Sequence, residues 1–387
     1  MGAGQSIQSA VNGAANGDTI VLTAPADYDG NVTIAGKALR IVSLHRNNHD
    51  VTGSITISAV PAGQSVTFKN LSVSGPVSAS DSNLNLLRCT MGQEVNATNP
   101  GNANTQLAVV QSNLSGKLRS TLTRTWVGYS DLRQSYFEGQ VEIVGNIFDG
   151  ENLGGIGIDL NGSSTMANVH NNIVQNYSGT YDFPISNECI GIKVDGQAKV
   201  HIKNNFIYNC YDFKDVGTEY FSGIGIYIKD SSACSISSNQ IWNNFVQRGH
   251  QNNGNYVEFG NVNIWADSSV RVEHNSLVRH NDNLSEVRGG AINLYSIVSS
   301  QSQSHTHFLV SPSGLMSQKA GKDAGSPKDA DKDHDGSRND IGPNGGRNYI
   351  PNGRTTDKAI PISFSIAPQA VQVGGTVTIE STGATVK

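Results

Sequence analysis

Between Gly155 and Tyr295 one short apolar pattern returns five times: GIGIDLNG at 155–162, GIKVDG at 191–196, GIGIYIKD at 223–230, NIWAD at 263–267 and AINLY at 291–295. A second alternating segment, closing on asparagine, follows each of the first four: NVHNNIVQN, HIKNNFIYN, SISSNQIWN and RVEHNSLVR. Its marker asparagines, Asn172, Asn205, Asn239 and Asn275, lie 33, 34 and 36 residues apart. Apolar and polar positions alternate inside each copy, the period of a strand, and a fixed repeat of this length signals a stacked solenoid. Ile158, Ile192, Ile226, Ile264 and Ile292 align as one inward stack. Val169, Ile202, Ile236 and Val272 form a second, and Val174, Ile207, Ile241 and Leu277 a third. Three inward stacks per period predict a three-sided coil of parallel strands, each rung burying its apolar face on the next. The marker asparagines are read as structural, since they tolerate left-handed backbone at a corner and their stacked amides hydrogen-bond along the axis.

Upstream the pattern loosens without changing its kind. Residues 3–16 place Ile7, Ala10, Val11 and Ala14 on one helical face, GDTIVL opens a strand, and Tyr28-Asp-Gly leads into further strands. This order resembles the entry of right-handed parallel β-helix proteins, in which a short amphipathic helix covers the first rung. From 51 to 150 the strands read SITIS, SVTFKNLSVSG, NLNLLRC, TQLAVVQSNLSG and QVEIVGNIFDG, with Asn70, Asn113 and Asn146 in places equivalent to the later markers. The regular period exceeds the roughly 22 residues of a bare coil. Extra residues therefore leave at one corner, as loops 177–188, 211–222, 245–260 and 282–289, and recurrent insertions on one side of a repeat protein often mark its binding face. The expected organisation is a β-helix over 1–310 and a polar tail over 311–356. The β-patterned segment 357–387 resembles the opening strands of an immunoglobulin-like domain, with a strand that pairs with another subunit as the alternative.

Composition narrows the classes. Formal net charge is −5, only 15% of residues are charged and no Lys/Arg cluster stands out, so nucleic acid is not an expected partner. No run of 18 apolar residues exists, so no spanning helix is expected. Met1-Gly2 runs directly into folded-looking sequence, as a mature secreted chain with an added start methionine would; a cytosolic origin stays open. The four cysteines have no metal spacing. Cys234 is expected in the core, and Cys189 and Cys210 bracket one rung closely enough to allow a disulfide.

Alternation also predicts what faces out. On the sheet carrying the GIGI strands one file holds Asp159, Lys193, Tyr227, Trp265 and Asn293, and a second holds Asn161, Asp195, Lys229, Asp267 and Tyr295. With rungs about 4.8 Å apart the strip is some 20 Å long. The flanking loops add Tyr181, Tyr211 and Tyr220; 15 of the 26 aromatics lie between 177 and 265, which concentrates them beside this sheet. Aromatic faces stack on sugar rings, and carboxylates and amines hydrogen-bond hydroxyls, so a polysaccharide is the expected partner. Asp195 and Asp267, two rungs apart, would stand near the separation of an inverting glycosidase. Lys193 or Lys229 beside an acid-bound cation would serve instead as the base of β-elimination from a uronic acid. The plainer alternative is a solvated face whose charges pair across rungs.

The chain resembles secreted right-handed parallel β-helix repeat proteins, the fold of pectate lyases, polygalacturonases and alginate lyases, over roughly residues 3–345. The resemblance implies the fold and an extracellular or cell-surface setting. The catalytic strings of those enzymes (NTD, paired DD and GHG; WIDH and RxPxxR; GxYxE) are missing, so it implies no particular reaction. Asp331-Lys-Asp-His-Asp-Gly-Ser-Arg-Asn-Asp340 resembles a calcium loop of the EF-hand or dockerin type, with acids at positions 1, 3 and 5 and glycine at 6. Gly342 stands at position 12 where a bidentate acid is usual. The resemblance implies structural Ca²⁺ held by Asp331, Asp333, Asp335 and Asp340; a flexible acidic linker is the alternative. The expected fold is thus an all-β, right-handed parallel β-helix solenoid with an N-terminal helix cap and a C-terminal calcium-loop segment. Three functions remain in play: a polysaccharide-binding surface protein, a polysaccharide lyase or glycosidase on the same strip, and a structural or adhesive rod.

Overall fold

The structure is a computed structural model. It describes residues 2, 5–24, 26–45, 50–101, 104–178, 189–214, 223–230, 234–242, 244–248, 258–261, 264–266, 271–273, 276–279, 307–310, 323, 325, 327, 332–333, 335–346, 353–356, 360–367 and 378–384. Among these the chain is nearly all β, with one helix and long stacks of parallel strands. No helix of the described residues is long and apolar enough to cross a membrane. Two compact units form. The first comprises Met1–Leu114, Leu122–Ser130 and Asn352–Lys387, the second Ser115–Thr121 and Asp131–Pro351.

In the first unit the helix Ile7–Gly13 buries Ile7 and Val11, and the Ser6 hydroxyl accepts the Ser9 N–H at its start. Gln8 donates to the Thr33 carbonyl (3.2 Å) and accepts the Thr33 N–H (2.6 Å). It thereby satisfies ladder groups of the strand Val32–Ala35, whose backbone would otherwise be an open edge. A first face stacks Thr19–Leu22, Arg40–Ser43, Ser65–Lys69, Asn83–Leu87, Gln106–Val110 and Arg124–Gly128, each parallel to the next. A second face stacks Asp50–Val51, Ser72–Val73, Thr90–Met91 and then Asn113 and Leu114. A third stacks Val32–Ala35, Ile55–Ser58, Val77–Ser80 and Val95–Thr98.

The second unit repeats the three faces. Val169, Ile202, Ile236 and Val272 are register partners on the first, Val174, Ile207, Ile241 and Leu277 on the second, and Ile158, Ile192, Ile226 and Ile264 on the third. These are the three inward stacks expected from the repeat; Ile292 lies outside the described residues. The period-2 alternation settles the register because a one-residue slip would turn every isoleucine outward.

The corner between the first and second faces is built from two residues per rung. The first takes left-handed backbone: Asn70, Arg88, Gln111 and Tyr129 in the first unit, and Gly145, Asn171, Asn204 and Ser238 in the second. The next residue points inward and forms a ladder. The Asn172 side-chain oxygen accepts both the N–H and the amide of Asn146 at 3.0 Å, Asn205 does the same for Asn172 at 3.0 Å, and Asn239 for Asn205 at 2.9 Å. Their amides also donate to carbonyls of the corner, Ile143 and His170 for Asn172, Val169 and Lys203 for Asn205. The left-handed residue is thus the one before each marker asparagine, and the marker itself is a buried amide. In the first unit the ladder position holds Cys89, Ser112 and Ser130, whose shorter groups bond likewise (Cys89 N–H to Ser112 Oγ and Ser112 N–H to Ser130 Oγ, both 3.0 Å). Asn70 belongs to the left-handed row, and Asn113 is exposed one residue past the ladder.

Left-handed corners 70, 88, 111 and 129 are 18, 23 and 18 residues apart, whereas corners 145, 171, 204 and 238 are 26, 33 and 34 apart. The long rungs spend part of their insertion on strand. Phe206–Lys214 continues past the face, Phe245–Arg248 runs parallel to its end, and Glu258–Asn261 turns back antiparallel. Loops 211–222 and 245–260 therefore begin as extensions of the second face. All four cysteines are buried thiols, so Cys189 and Cys210 do not form the bridge their spacing allowed. Burial pushes the Cys89 thiol up to about 12 and the Cys210 thiol well upward, which makes both inert core residues.

The final segment forms an antiparallel hairpin, Ile360–Ala367 with Thr378–Ala384, whose register shifts at Pro361, a residue with no N–H for the ladder. It is counted with the first unit, where Gln111 donates to the Gly353 (2.6 Å) and Thr356 (2.9 Å) carbonyls.

Replacing Asn205 by alanine removes the acceptor of the Asn172 N–H and a donor to the Val169 and Lys203 carbonyls, and we expect it to cost about 2–3 kcal/mol, read by denaturant unfolding. Asn113→Ala, on an exposed side chain, should stay within about 0.5 kcal/mol of the parent. Equal effects would show that the ladder is not what holds the corner.

Candidate functional site

The third face of the second unit carries the outward files expected from the repeat. Tyr136 pairs with Asp159, Asp159 with Lys193, Lys193 with Tyr227 and Tyr227 with Trp265. Single-file stacking follows from the inward isoleucines: with Ile158, Ile192, Ile226 and Ile264 in register, their neighbours must share one outward row. The row is not equally open. Asp159 and Lys193 are half-buried, and Tyr227 is only 4% exposed. In the second file Asp195 is half-buried, its carboxylate accepting the Gly196 N–H (2.7 Å), and Lys229 is exposed. For Trp265 and Tyr211 the backbone alone is described. Asp267, Asn293, Tyr295, Tyr181, Tyr220 and Asp331 lie outside the described residues.

The row extends one rung further than the repeat revealed. The Arg119 guanidinium lies 4.7 Å from the centre of the Tyr136 ring, and the Lys117 ammonium 6.0 Å. The Tyr136 hydroxyl donates to the Glu138 carboxylate. Burial, the Glu138 hydrogen bond and the charges of Glu138 and Asp159 push this phenol up to about 12, against the pull of Arg119. Tyr136 is therefore a neutral hydrogen-bonding group at neutral pH and no base. The signal in the sequence was the alternation around Leu118 and Phe137, both fully buried, which turns Lys117, Arg119, Tyr136 and Glu138 outward.

A second polar cluster lies on the first face of the second unit. Glu142 and His170 stand on adjacent rungs in ion-pair contact, and Asn168 donates to the other Glu142 oxygen (2.9 Å). His170 is 1% exposed, and its Nδ1 faces the Asn171 oxygen at 2.8 Å. The Asn171 amide nitrogen donates to the Pro343 (2.8 Å) and Gly345 (2.5 Å) carbonyls, which fixes which end of that side chain is the acceptor. Nδ1 must then carry a hydrogen, and a proton must also lie between Nε2 and Glu142, or two acceptors would face each other. Burial alone would raise the Glu142 pKa, but hydrogen bonds from His170 and Asn168 and the charges of His170 and Lys203 hold it below its ordinary value. These partners come from rungs 28 residues apart, so no local motif announced them.

The segment expected to be a calcium loop is docked along the left-handed corner row of the same unit. Asn204 donates to the Asn339 oxygen (2.8 Å) and the Asp340 carbonyl (2.7 Å), and the Gly342 N–H donates to the Ser238 carbonyl (2.9 Å). Asn339 is 1% exposed. Asp333 accepts the N–H groups of Gly346 (2.5 Å) and Asp340 (3.3 Å), Asp335 accepts from Ser337, and Asp340 accepts the Asp323 N–H (2.7 Å). Burial raises the Asp333 pKa, the Gly346 N–H works against it, and Asp340 and Asp335 add to the rise. No cluster of three metal-ligating side chains is complete among the described residues. No protein-family model matches the chain, and no curated protein matches its sequence.

Because Glu142 is held below its ordinary value of 4.5, its contribution to stability is present above that pH and is lost as pH falls through the lowered folded value. Glu142→Gln should flatten the acid limb of a stability–pH profile, and His170→Ala should lower stability at pH 7 by about 2 kcal/mol. A Glu142→Gln profile that overlays the parent below pH 4.5 would show that the pair is not linked to folding.

Proposed function

We propose that this protein is an extracellular or cell-surface polysaccharide-binding β-helix, which holds a glycan along the third face of its second unit. The observation that supports this most is the single register-locked row from Tyr136 through Asp159, Lys193 and Tyr227 to Trp265. Such a row alternates aromatic, acidic and basic groups at one-rung intervals and contains no aliphatic side chain. Sugars ask for that mixture, a π face for the ring and charged hydrogen-bonding groups for the hydroxyls. Arg119 and Lys117 add cations at one end of the row. The finer architecture belongs to the same reading: a right-handed coil, as strand twist dictates for parallel crossovers, and an N-terminal helix that closes the first rung.

A panel of acidic and neutral polysaccharides, assayed for both binding and cleavage, tests the proposal. We expect saturable binding without new ends, weakened about tenfold or more by Lys193→Ala or Arg119→Ala, in line with loss of a charge-assisted contact. Unsaturated products abolished by Lys193→Ala or Lys229→Ala would replace this reading by a lyase. Neither binding nor products, with end-to-end association lost on removing 357–387, would replace it by a rod.

We further propose that Asp333, Asp335 and Asp340, with Asp331, hold structural Ca²⁺. The turn supports this: Gly336 has φ +85, and the negative charges of Asp340 and Asp335 both act on Asp333. Calcium should raise the melting temperature by several degrees through binding to the folded state. The rise should vanish in the Asp333→Asn, Asp335→Asn double variant. Identical melting in calcium and in chelator would sink this assignment.

A further inference from the structure

The third face of the first unit is a surface of another kind. Four strands stack on it in unbroken register, so that Thr33, Thr56, Ser78 and Asn96 form one outward file, and Ala35, Ser58, Ser80 and Thr98 a second. Inward neighbours Ile34, Ile57, Ala79 and Ala97 are all buried to 1% exposure or less, which holds the grid rigid from beneath. Thr33, Thr56 and Ser78 are exposed, and the face carries neither charge nor aromatic ring. None of the six hydroxyls is hydrogen-bonded to a described residue. The Asn96 side-chain oxygen is buried and has no partner among the described residues, so the open grid consists of the hydroxyls alone.

The border of this face is packed closely at two glycines. Its strands are entered through three-residue turns, 52–54, 74–76 and 92–94. A Cβ on Gly53 would come within 3.0 Å of the Gly30 backbone, and one on Gly75 within 3.0 Å of the Gly53 backbone. Successive turns thus rest on one another at these two glycines, and the Thr52 and Ser54 side chains tie turn 52–54 to Asp29 and Asn31 of the one before.

We propose that this grid binds ice. Hydroxyls repeat about 4.8 Å apart along the stack and about 6.7 Å apart along each strand. Rigid short hydroxyls on such a net order a layer of water in two dimensions, and its spacing approaches the repeat of water oxygens in hexagonal ice. Crystalline water is matched by the regular repeat of short hydroxyls; a glycan would call for the aromatic and charged groups that this face lacks. Threonine suits the role because its γ-methyl fixes the hydroxyl's rotamer and leaves little freedom to lose on binding.

Ice-recrystallisation and thermal-hysteresis assays on the full chain test this. The parent protein should arrest crystal coarsening at micromolar concentration, while Lys199→Ala, on the first face of the second unit, should match it. Thr56→Lys plants a long charged side chain in the plane and should be at least about tenfold weaker, with an unchanged melting curve. Should Thr56→Lys fail to fold, Ser78→Tyr is read in its place. A folded parent that slows coarsening no more than an inert protein at equal concentration overturns the proposal. So does a folded variant of either kind that keeps the full effect.

Discussion

The second unit depends on a row of buried side-chain amides. Each of Asn172, Asn205 and Asn239 supplies one oxygen to the rung on one side and two N–H bonds to the carbonyls of a tight corner. A corner that sharp leaves backbone groups turned inward where no strand can meet them, and unmet buried groups are costly. Asparagine meets both needs at once, a donor pair and an acceptor on one rigid planar group. The left-handed residue before it turns outward, and at Asn171 and Asn204 it offers a side-chain amide there. Asn171 and Asn204 use theirs to seat the segment from Asn339 to Gly345. Packing inside the coil and docking outside it are two consequences of one corner.

The same backbone plan gives two unlike surfaces. In the first unit the third face is short-chained, uncharged and entered through three-residue turns. In the second it is charged and aromatic, on rungs lengthened to 33 and 34 residues. Since the inward positions are mostly buried apolar residues in both, the difference lies in outward residues that contribute little to the core. Stability and chemistry are thus carried by alternate residues of one strand, which lets either change without the other.

Much of this was readable in one dimension, and what was not has a physical reason. The isoleucine stacks and the outward file of Asp159, Lys193, Tyr227 and Trp265 followed from strict alternation, which leaves one register. Exposure of Tyr227 did not follow, because alternation gives direction and says nothing of what lies over a residue. Assigning the left-handed role to Asn172 and its equivalents was off by one position, since two adjacent asparagines in NN pairs share a composition but not a conformation. Asn113 was misplaced because serine fills the ladder in its neighbourhood, a substitution that keeps the hydrogen bond and erases the signature. Glu142 and His170, like Asn204 and Asn339, are contacts across rungs or across 135 residues, and no spacing rule reaches that far.

The glycine turns of the first unit set a limit on how this surface could have changed over time. Where Gly53 rests on Gly30 and Gly75 on Gly53, a side chain in place of either glycine has nowhere to go. Substitution at those glycines is therefore closed, and a route that keeps the packed edge is duplication of a complete coil, strand set and turn together. Such a duplication lengthens the grid in its existing repeat. For protein engineering the first unit is accordingly a modular tile, extendable in whole steps, whereas the long rungs of the second already carry added strand beyond the second face.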